Sequence, residues 1–308
     1  MIYESVLDTI GHTPVVHLEK ISGNDIYVKL EMFNPGQSIK DRIAYEMIDT
    51  LVKEGKLGKE GQKAVEGTSG NTGIGLALVC ANKGIPLTIV MPENMSAERI
   101  ALMKAYGATV VLTPKALGME GAEKRAAAME KEGYIFLNQF ENSANPRAHE
   151  KTTAKEIIAD FPKKLDYFIA GVGTAGTLMG NAKILKKHYP NIQCVAVEPA
   201  ESALLEGGEA GPHKIQGIGA NFIPPLYDKS LVDRVVSIKG DDAVNKVNLL
   251  AKKGYFLGIS SGAAILAAEK IATENPGAGL TLLAISPDGG IKYMPRRRAA
   301  NNKNSCFA

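Results

Sequence analysis

Asn34-Pro35-Gly36-Gln37-Ser38-Ile39-Lys40-Asp41-Arg42 follows an apolar, strand-like run at 26–32 and opens a helical run at 44–51. Lys40 therefore falls at a strand-to-helix turn. It meets the positive end of the helix dipole there, which disfavours an ammonium ion and favours a neutral amine or its Schiff base. Farther along, Thr68-Ser69-Gly70-Asn71-Thr72-Gly73 places small and hydroxylated residues ahead of a second helical run, 74–82. Backbone N–H groups at such a helix start lack partners and can hold an anion such as a carboxylate.

Outward from these segments, short apolar runs at 64–66, 87–91, 109–112, 135–137, 167–170, 194–198, 232–237 and 280–285 predict strands. Helical patterns occupy 97–106, 118–132, 177–188, 241–253 and 261–274. This alternation predicts an α/β fold of mainly parallel strands, because parallel neighbours need helical crossovers. A chain of 308 residues suggests two domains. Pro146 interrupts the pattern, and we expect a domain boundary near 142–149.

Composition narrows the function classes. The apolar fraction of 45% suffices for substantial cores, and the net charge of +3 with interspersed signs gives no nucleic-acid footprint. Arg296-Arg297-Arg298 reads as a solvated tail. Cys80 and Cys194 sit in apolar runs as small core residues, and Cys306 lies near the end. Without a CxxC or a His/Cys cluster, no structural metal is expected. Neither a basic-then-apolar leader nor a membrane-length apolar run is evident, so a soluble cytoplasmic protein that binds no membrane is expected.

Together the two opening segments resemble the cysteine synthase (O-acetylserine sulfhydrylase) and cystathionine β-synthase family of pyridoxal-phosphate enzymes. The resemblance extends from Thr9-Ile10-Gly11-His12-Thr13-Pro14 to Tyr293. It implies the tryptophan synthase β-like arrangement, fold type II: two open-sheet α/β domains with pyridoxal 5′-phosphate in the cleft between them. It further implies that 1–12 and 35–145 form an N-terminal domain, that 13–34 cross to join 146–295 in a C-terminal one, and that 296–308 are a tail. By the same resemblance, Lys40 carries the cofactor as a Schiff base and, once freed, removes the substrate α-proton. The β-substituent then leaves, and a nucleophile such as sulfide takes its place.

Other roles follow residue by residue. Asn71 matches the contact to the cofactor 3′-oxygen, where a neutral amide donates without adding charge. Thr68, Ser69, Gly70 and Thr72, with Asn71, match the loop that receives the substrate carboxylate. Gln139, in Asn138-Gln139-Phe140-Glu141-Asn142, matches another carboxylate contact. Lys214-Ile215-Gln216-Gly217-Ile218-Gly219-Ala220-Asn221-Phe222-Ile223-Pro224 matches the loop over the substrate. Gly258-Ile259-Ser260-Ser261-Gly262-Ala263 matches a turn beside the cofactor, with the serines placed to cap the helix. A homodimer and binding of a serine acetyltransferase tail are also implied. His149 is read as structural, since nothing pairs it with a nucleophile.

Gly171-Val172-Gly173-Thr174-Ala175-Gly176 supports three readings. With Glu198 ending the next strand, it fits a dinucleotide fingerprint. It also fits a plain strand–helix turn. In the third reading, Gly173, Thr174, Ala175, Gly176 and Thr177 form a compact cup for one phosphate. The remaining motifs favour the cup, since a dehydrogenase has no use for the Lys40 and Asn71 segments. Ala175 replaces a family glycine, which is tolerable if no positive φ is needed.

Three further positions depart from the family pattern. Gly67 stands where proline is frequent and would loosen the substrate loop. Asn221 replaces a glycine, either to contact a second substrate or simply to occupy a left-handed turn. Gly289, in Pro287-Asp288-Gly289-Gly290-Ile291-Lys292-Tyr293, aligns with the hydroxyl residue that faces the cofactor's pyridine nitrogen. Ser286, Asp288 or water would then take that place, unless the register shifts by one residue.

The expected activity is pyridoxal-phosphate-dependent β-replacement on small amino acids, with sulfide or a thiol as nucleophile. Cysteine synthesis from O-acetylserine and sulfide leads. The same chemistry could run as a stand-alone cystathionine β-synthase, or as a cysteine lyase releasing hydrogen sulfide with lanthionine or serine as product. An NAD-dependent dehydrogenase and a non-catalytic binding protein are the remote alternatives.

Overall fold

The computed structural model describes residues 2–294; Arg296, Arg297, Arg298 and Cys306 lie outside them. Strands β1 (Val15–Ile21) and β2 (Asn24–Leu30) open the fold as an antiparallel hairpin. Ser22 and Gly23 close it with φ of +50° and +86°, the positive pair that a tight two-residue hairpin turn requires. There follow α1 (Lys40–Lys53), β3 (Lys63–Gly67), α2 (Asn71–Lys83), β4 (Leu87–Pro92), α3 (Ala97–Ala105), β5 (Thr109–Thr113), α4 (Gly118–Ala128) and β6 (Tyr134–Phe136). Helices α5 (Ala144–Lys151) and α6 (Thr153–Asp160) lead to β7 (Tyr167–Gly171), α7 (Gly176–His188), β8 (Gln193–Pro199) and β9 (Arg234–Ile238). Helices α8 (Gly240–Ala251) and α9 (Ile259–Glu274) and strand β10 (Thr281–Ser286) follow.

The strands form two sheets, one ordered β5-β4-β3-β6 and wholly parallel. The other is ordered β1-β2-β10-β7-β8-β9 and is parallel except at the hairpin. All six residues of β4 are buried, as helix-covered parallel strands require. The second sheet sets β2 beside β10, so the turn before Lys40 lies against the end of β10. Ile39 N–H donates to Pro287 O at 2.9 Å, and Ser38 pairs with Asp288. Crevices at the carboxyl ends of parallel strands are where such folds bind ligands.

Two regions depart from the sequence pattern. Strand β1 is not among the apolar runs read as strands, and α5 stands where Pro146 suggested a break. Pro146 is the third residue of α5, in the first turn, where a missing N–H removes no intrahelical bond. Helix α5 packs against both α1 and α7. The helical stretch predicted at 118–132 tightens into a 3-10 turn at Met129–Glu132 before Gly133, whose φ is +82°.

A buried ion network anchors α1 immediately beyond Lys40. The Arg42 guanidinium donates to Glu31 through Nε at 2.7 Å and to Glu156 through Nη1 at 2.6 Å. Thr13 Oγ1 donates to Glu31 at 2.6 Å, and Lys29 Nζ lies 3.0 Å from Glu156. Burial opposes charge throughout, yet Glu31 and Glu156 raise Arg42 above its usual range, while Arg42 and Lys29 hold Glu156 well below its own.

Candidate active site

Lys40 is the first residue of α1, and its backbone N–H donates to Ser38 Oγ at 3.2 Å. Its Nζ has no hydrogen-bond or ion-pair partner among the described residues. Desolvation lowers the amine from 10.5 to about 8, so roughly a tenth of it is neutral at pH 7, against well under a thousandth for an ordinary lysine. Gly75 of α2 permits the close approach of the two helix starts, since a Cβ there would lie 3.1 Å from Lys40 O.

The remaining segments join through hydrogen bonds. Thr72 Oγ1 donates to Gln139 Oε1 at 2.7 Å, bringing two of the predicted carboxylate-binding residues together. Asn145 Nδ2 donates to Gln139 O at 2.7 Å and to Thr174 Oγ1 at 2.9 Å, linking that pair to the glycine loop. Asn145 carried no signal in the sequence. Gly70 begins α2 as a cap without a side chain, and open space surrounds its missing Cβ. Ser69 O accepts from Arg99 Nη1 at 3.3 Å, and Thr68 Oγ1 accepts from Gly70 N–H at 3.5 Å. Beneath this loop lies Glu66, fully buried, with its pKa raised to about 8 by desolvation.

Gly67 meets a tighter constraint than expected. A Cβ there would fall 2.7 Å from Glu123 Cα, so α4 closes on this position. The glycine is thus required by packing rather than a source of slack.

The glycine loop also differs from its reading. Ala175 does take a left-handed conformation, with φ of +68°, directly before α7. An L-residue there carries roughly 1–2 kcal/mol of strain. Ala175→Gly is therefore expected to raise stability by about 1 kcal/mol, net of the glycine's greater unfolded-state entropy. Denaturant unfolding checks this; a loss of stability would contradict it. A Cβ on Gly173 would collide with Gly217 O, which keeps this turn against the 214–224 loop. Thr177 Oγ1 meets His149 Nε2 at 3.3 Å, and His149 Nδ1 meets Thr153 Oγ1 at 2.9 Å. Burial, with Arg42 and Lys40 nearby, holds His149 well below its usual range and therefore neutral. The histidine read as structural thus supports a glycine-loop threonine. Glu198, the candidate ribose acid, instead accepts the backbone N–H groups of Leu205 and Glu206 at 2.8 and 3.1 Å.

Gly289 carries no side chain, and a Cβ there would meet Met32 Sδ at 3.5 Å. Its neighbour Asp288 turns toward Asn71, whose Nδ2 donates to Asp288 Oδ2 at 2.6 Å. Ser260 and Ser261 do not cap α9; Gly258 does so without a side chain. Ser261 Oγ pairs with Ser286 Oγ at 2.8 Å, both fully buried. Asn221 takes φ of +62° and accepts from Ser202 Oγ at 2.9 Å, in the exposed part of its loop.

A family model described as pyridoxal-phosphate dependent enzyme matches residues 6–288. A cysteine synthase of Staphylococcus aureus is 50% identical over 297 residues, covering 94% of this chain and 95% of the relative. The crystal structure of a hydrogen sulfide-producing enzyme from Fusobacterium nucleatum superposes with a TM-score of 0.90 at 48% identity, over 95% of this chain and 100% of that one. The crystal structure of a cysteine synthase from Entamoeba histolytica does so with a TM-score of 0.92 at 42% identity, over 100% of this chain and 94% of that one.

Proposed function

The chain belongs to the family of pyridoxal-phosphate-dependent enzymes, and on that premise we propose that it makes cysteine from O-acetylserine and sulfide by β-replacement. The observation that carries this reading is the unpaired Lys40 amine, with its lowered pKa, at the start of α1. The surroundings fit the cofactor. The loop at 173–177 offers helix-start N–H groups for a phosphate, and Asn71 at the start of α2 donates one amide N–H to Asp288 and keeps the other. When bound, pyridoxal phosphate supplies an electron sink for the substrate α-carbon.

Each residue then has a task. Lys40 holds the cofactor, and its freed amine takes the proton from the α-carbon. Thr68, Ser69, Gly70, Asn71 and Thr72 receive the substrate carboxylate, with Gln139 oriented by Thr72. Gly173, Thr174, Ala175, Gly176 and Thr177 hold the phosphate, and Asn145 and His149 brace the two hydroxyls. Gly289 lines the cofactor site through its backbone. Pairing of β2 with β10 supports dividing the chain into 1–12 with 35–145 and 13–34 with 146–295. A cytoplasmic homodimer belongs to the same reading, and the buried free thiols of Cys80 and Cys194 suit a reducing compartment. So does docking of a serine acetyltransferase tail.

Product analysis with O-acetylserine, serine and cysteine offered separately, with and without sulfide or homocysteine, tests the proposal. Cysteine should form fastest from O-acetylserine and sulfide. Efficient release of sulfide from cysteine, with little synthesis, would overturn it in favour of a lyase.

Asn221 tunes the second substrate in this scheme. Ser202 holds its Oδ1, leaving Nδ2 to donate to the carboxylate of an amino-acid thiol. Glycine accommodates φ of +62°, so Asn221→Gly should preserve the turn. The ratio of sulfide to thiol use should then rise by roughly tenfold, the size of one hydrogen bond. An unchanged ratio would assign Asn221 to the turn alone.

A further inference from the structure

The side chains around Asn71 leave its amide no choice of orientation. Nδ2 donates to Asp288 Oδ2 at 2.6 Å, and Oδ1 accepts from Lys292 Nζ at 2.8 Å. Exchanging the two ends would set the amide N–H groups against an ammonium ion and the carbonyl oxygen against a carboxyl group. The acceptor itself is held on several sides. Tyr293 Oη donates to the same Asp288 oxygen at 2.6 Å, and Asp288 is 1% exposed. Gly258 N–H donates to Asp288 O at 3.0 Å, and a Cβ on Gly258 would collide with Asp288 Oδ1. The glycine leaves room for the buried carboxyl group, and the Tyr293 hydroxyl holds it beside Asn71. Lys292 Nζ also donates to Gly36 O and Gln37 O, both at 3.1 Å, which carries the hold to the turn before Lys40.

An amide has two N–H groups. With Asp288 taking one and Lys292 fixing the carbonyl end, the second N–H has a single direction. We propose that Asp288 and Lys292 are positioning residues that lock the Asn71 amide, so that its remaining N–H faces the 3′-oxygen of the cofactor. The proposal rests on the reading of Asn71 as the contact to that oxygen. It also gives the departure at 288–289 a purpose. The side chain that reaches the cluster belongs to Asp288, and it acts through Asn71.

The test compares holoenzymes of the wild type and of Asn71→Ala, Asp288→Ala, Asp288→Asn and Lys292→Met. Cofactor dissociation constants and the absorbance of bound cofactor between pH 6 and 10 are measured. The absorbance reports ionisation of the 3′-oxygen, which a merely structural role would leave alone. Asp288→Ala and Lys292→Met should each shift the spectrum in the direction of Asn71→Ala and weaken retention by about tenfold. Asp288→Asn should stay within about threefold, since an amide oxygen can accept from the same two donors. A double variant combining Asp288→Ala with Lys292→Met should lose less than the product of the singles, because both act through one amide. The clamp is overturned if Asn71→Ala shifts the spectrum while Asp288→Ala and Lys292→Met do not. It is equally overturned if Asp288→Asn is as damaging as Asp288→Ala, which would assign the effect to charge. An unshifted Asn71→Ala spectrum would sink the assignment of Asn71 and the clamp with it. Lys292 is partly exposed, so Lys292→Met serves if Asp288→Ala does not fold.

Discussion

Lys40→Ala is expected to lower turnover by at least about a thousandfold while leaving the fold intact. General-base catalysis alone contributes about 10²–10⁴-fold, and the covalent hold on the cofactor disappears with the same amine. The side chain has no hydrogen-bond or ion-pair partner among the described residues, so its removal breaks no internal bond. The environment of the amine makes a second, pH-dependent expectation. Only the neutral form attacks, and burial lowers its pKa from 10.5 to about 8. Cofactor capture by the cofactor-free protein should therefore rise about tenfold per pH unit up to pH 8 and flatten above it. An unperturbed lysine would continue to gain beyond pH 10. Stopped-flow absorbance distinguishes the two. A Lys40→Ala enzyme retaining a tenth of its turnover would remove the lysine from the chemistry.

Arg42→Met should be the most destabilising single change near the site, by about 3–5 kcal/mol. Arg42 lies between Glu31 and Glu156, and its removal leaves Glu31 buried without its cation. Lys29 compensates only on the Glu156 side, at 3.0 Å. The pair's net worth is smaller than this loss, because desolvation offsets much of the attraction when both partners are present. Glu31→Gln should consequently cost less than Arg42→Met. Because Arg42 follows Lys40 by two positions in α1, cofactor affinity should fall along with stability. Denaturant unfolding of the holoenzyme measures the first effect. A loss below about 1 kcal/mol would mean that the network is strongly hydrated.

The parts of this molecule that were legible in the chain are the local ones. Alternating apolar runs marked the parallel strands, and small residues ahead of helical runs marked the anion-binding turns, because both signals lie within one segment. Pro146 misled for the same reason. Its effect depends on whether it falls in the first turn of a helix, as it does in α5, or beyond it. The left-handed φ of Ala175 was not legible, since alanine carries no mark of that conformation. The most informative contacts span long separations. Arg42 meets Glu156, Asn71 meets Asp288, and Asn145 meets Thr174. Helix packing of α5 against α1 and α7, and β2 lying beside β10, bring these distant segments together. Nothing in the local pattern at Gly67 could show that α4 closes on it, so an extra degree of freedom was expected where packing leaves none.

Reduction of the purified holoenzyme with borohydride, followed by peptide mapping, addresses the central claim most directly. A single pyridoxyl adduct is expected, on the peptide containing Lys40. An adduct on any other lysine, or none at all, would contradict the site and the chemistry built on it.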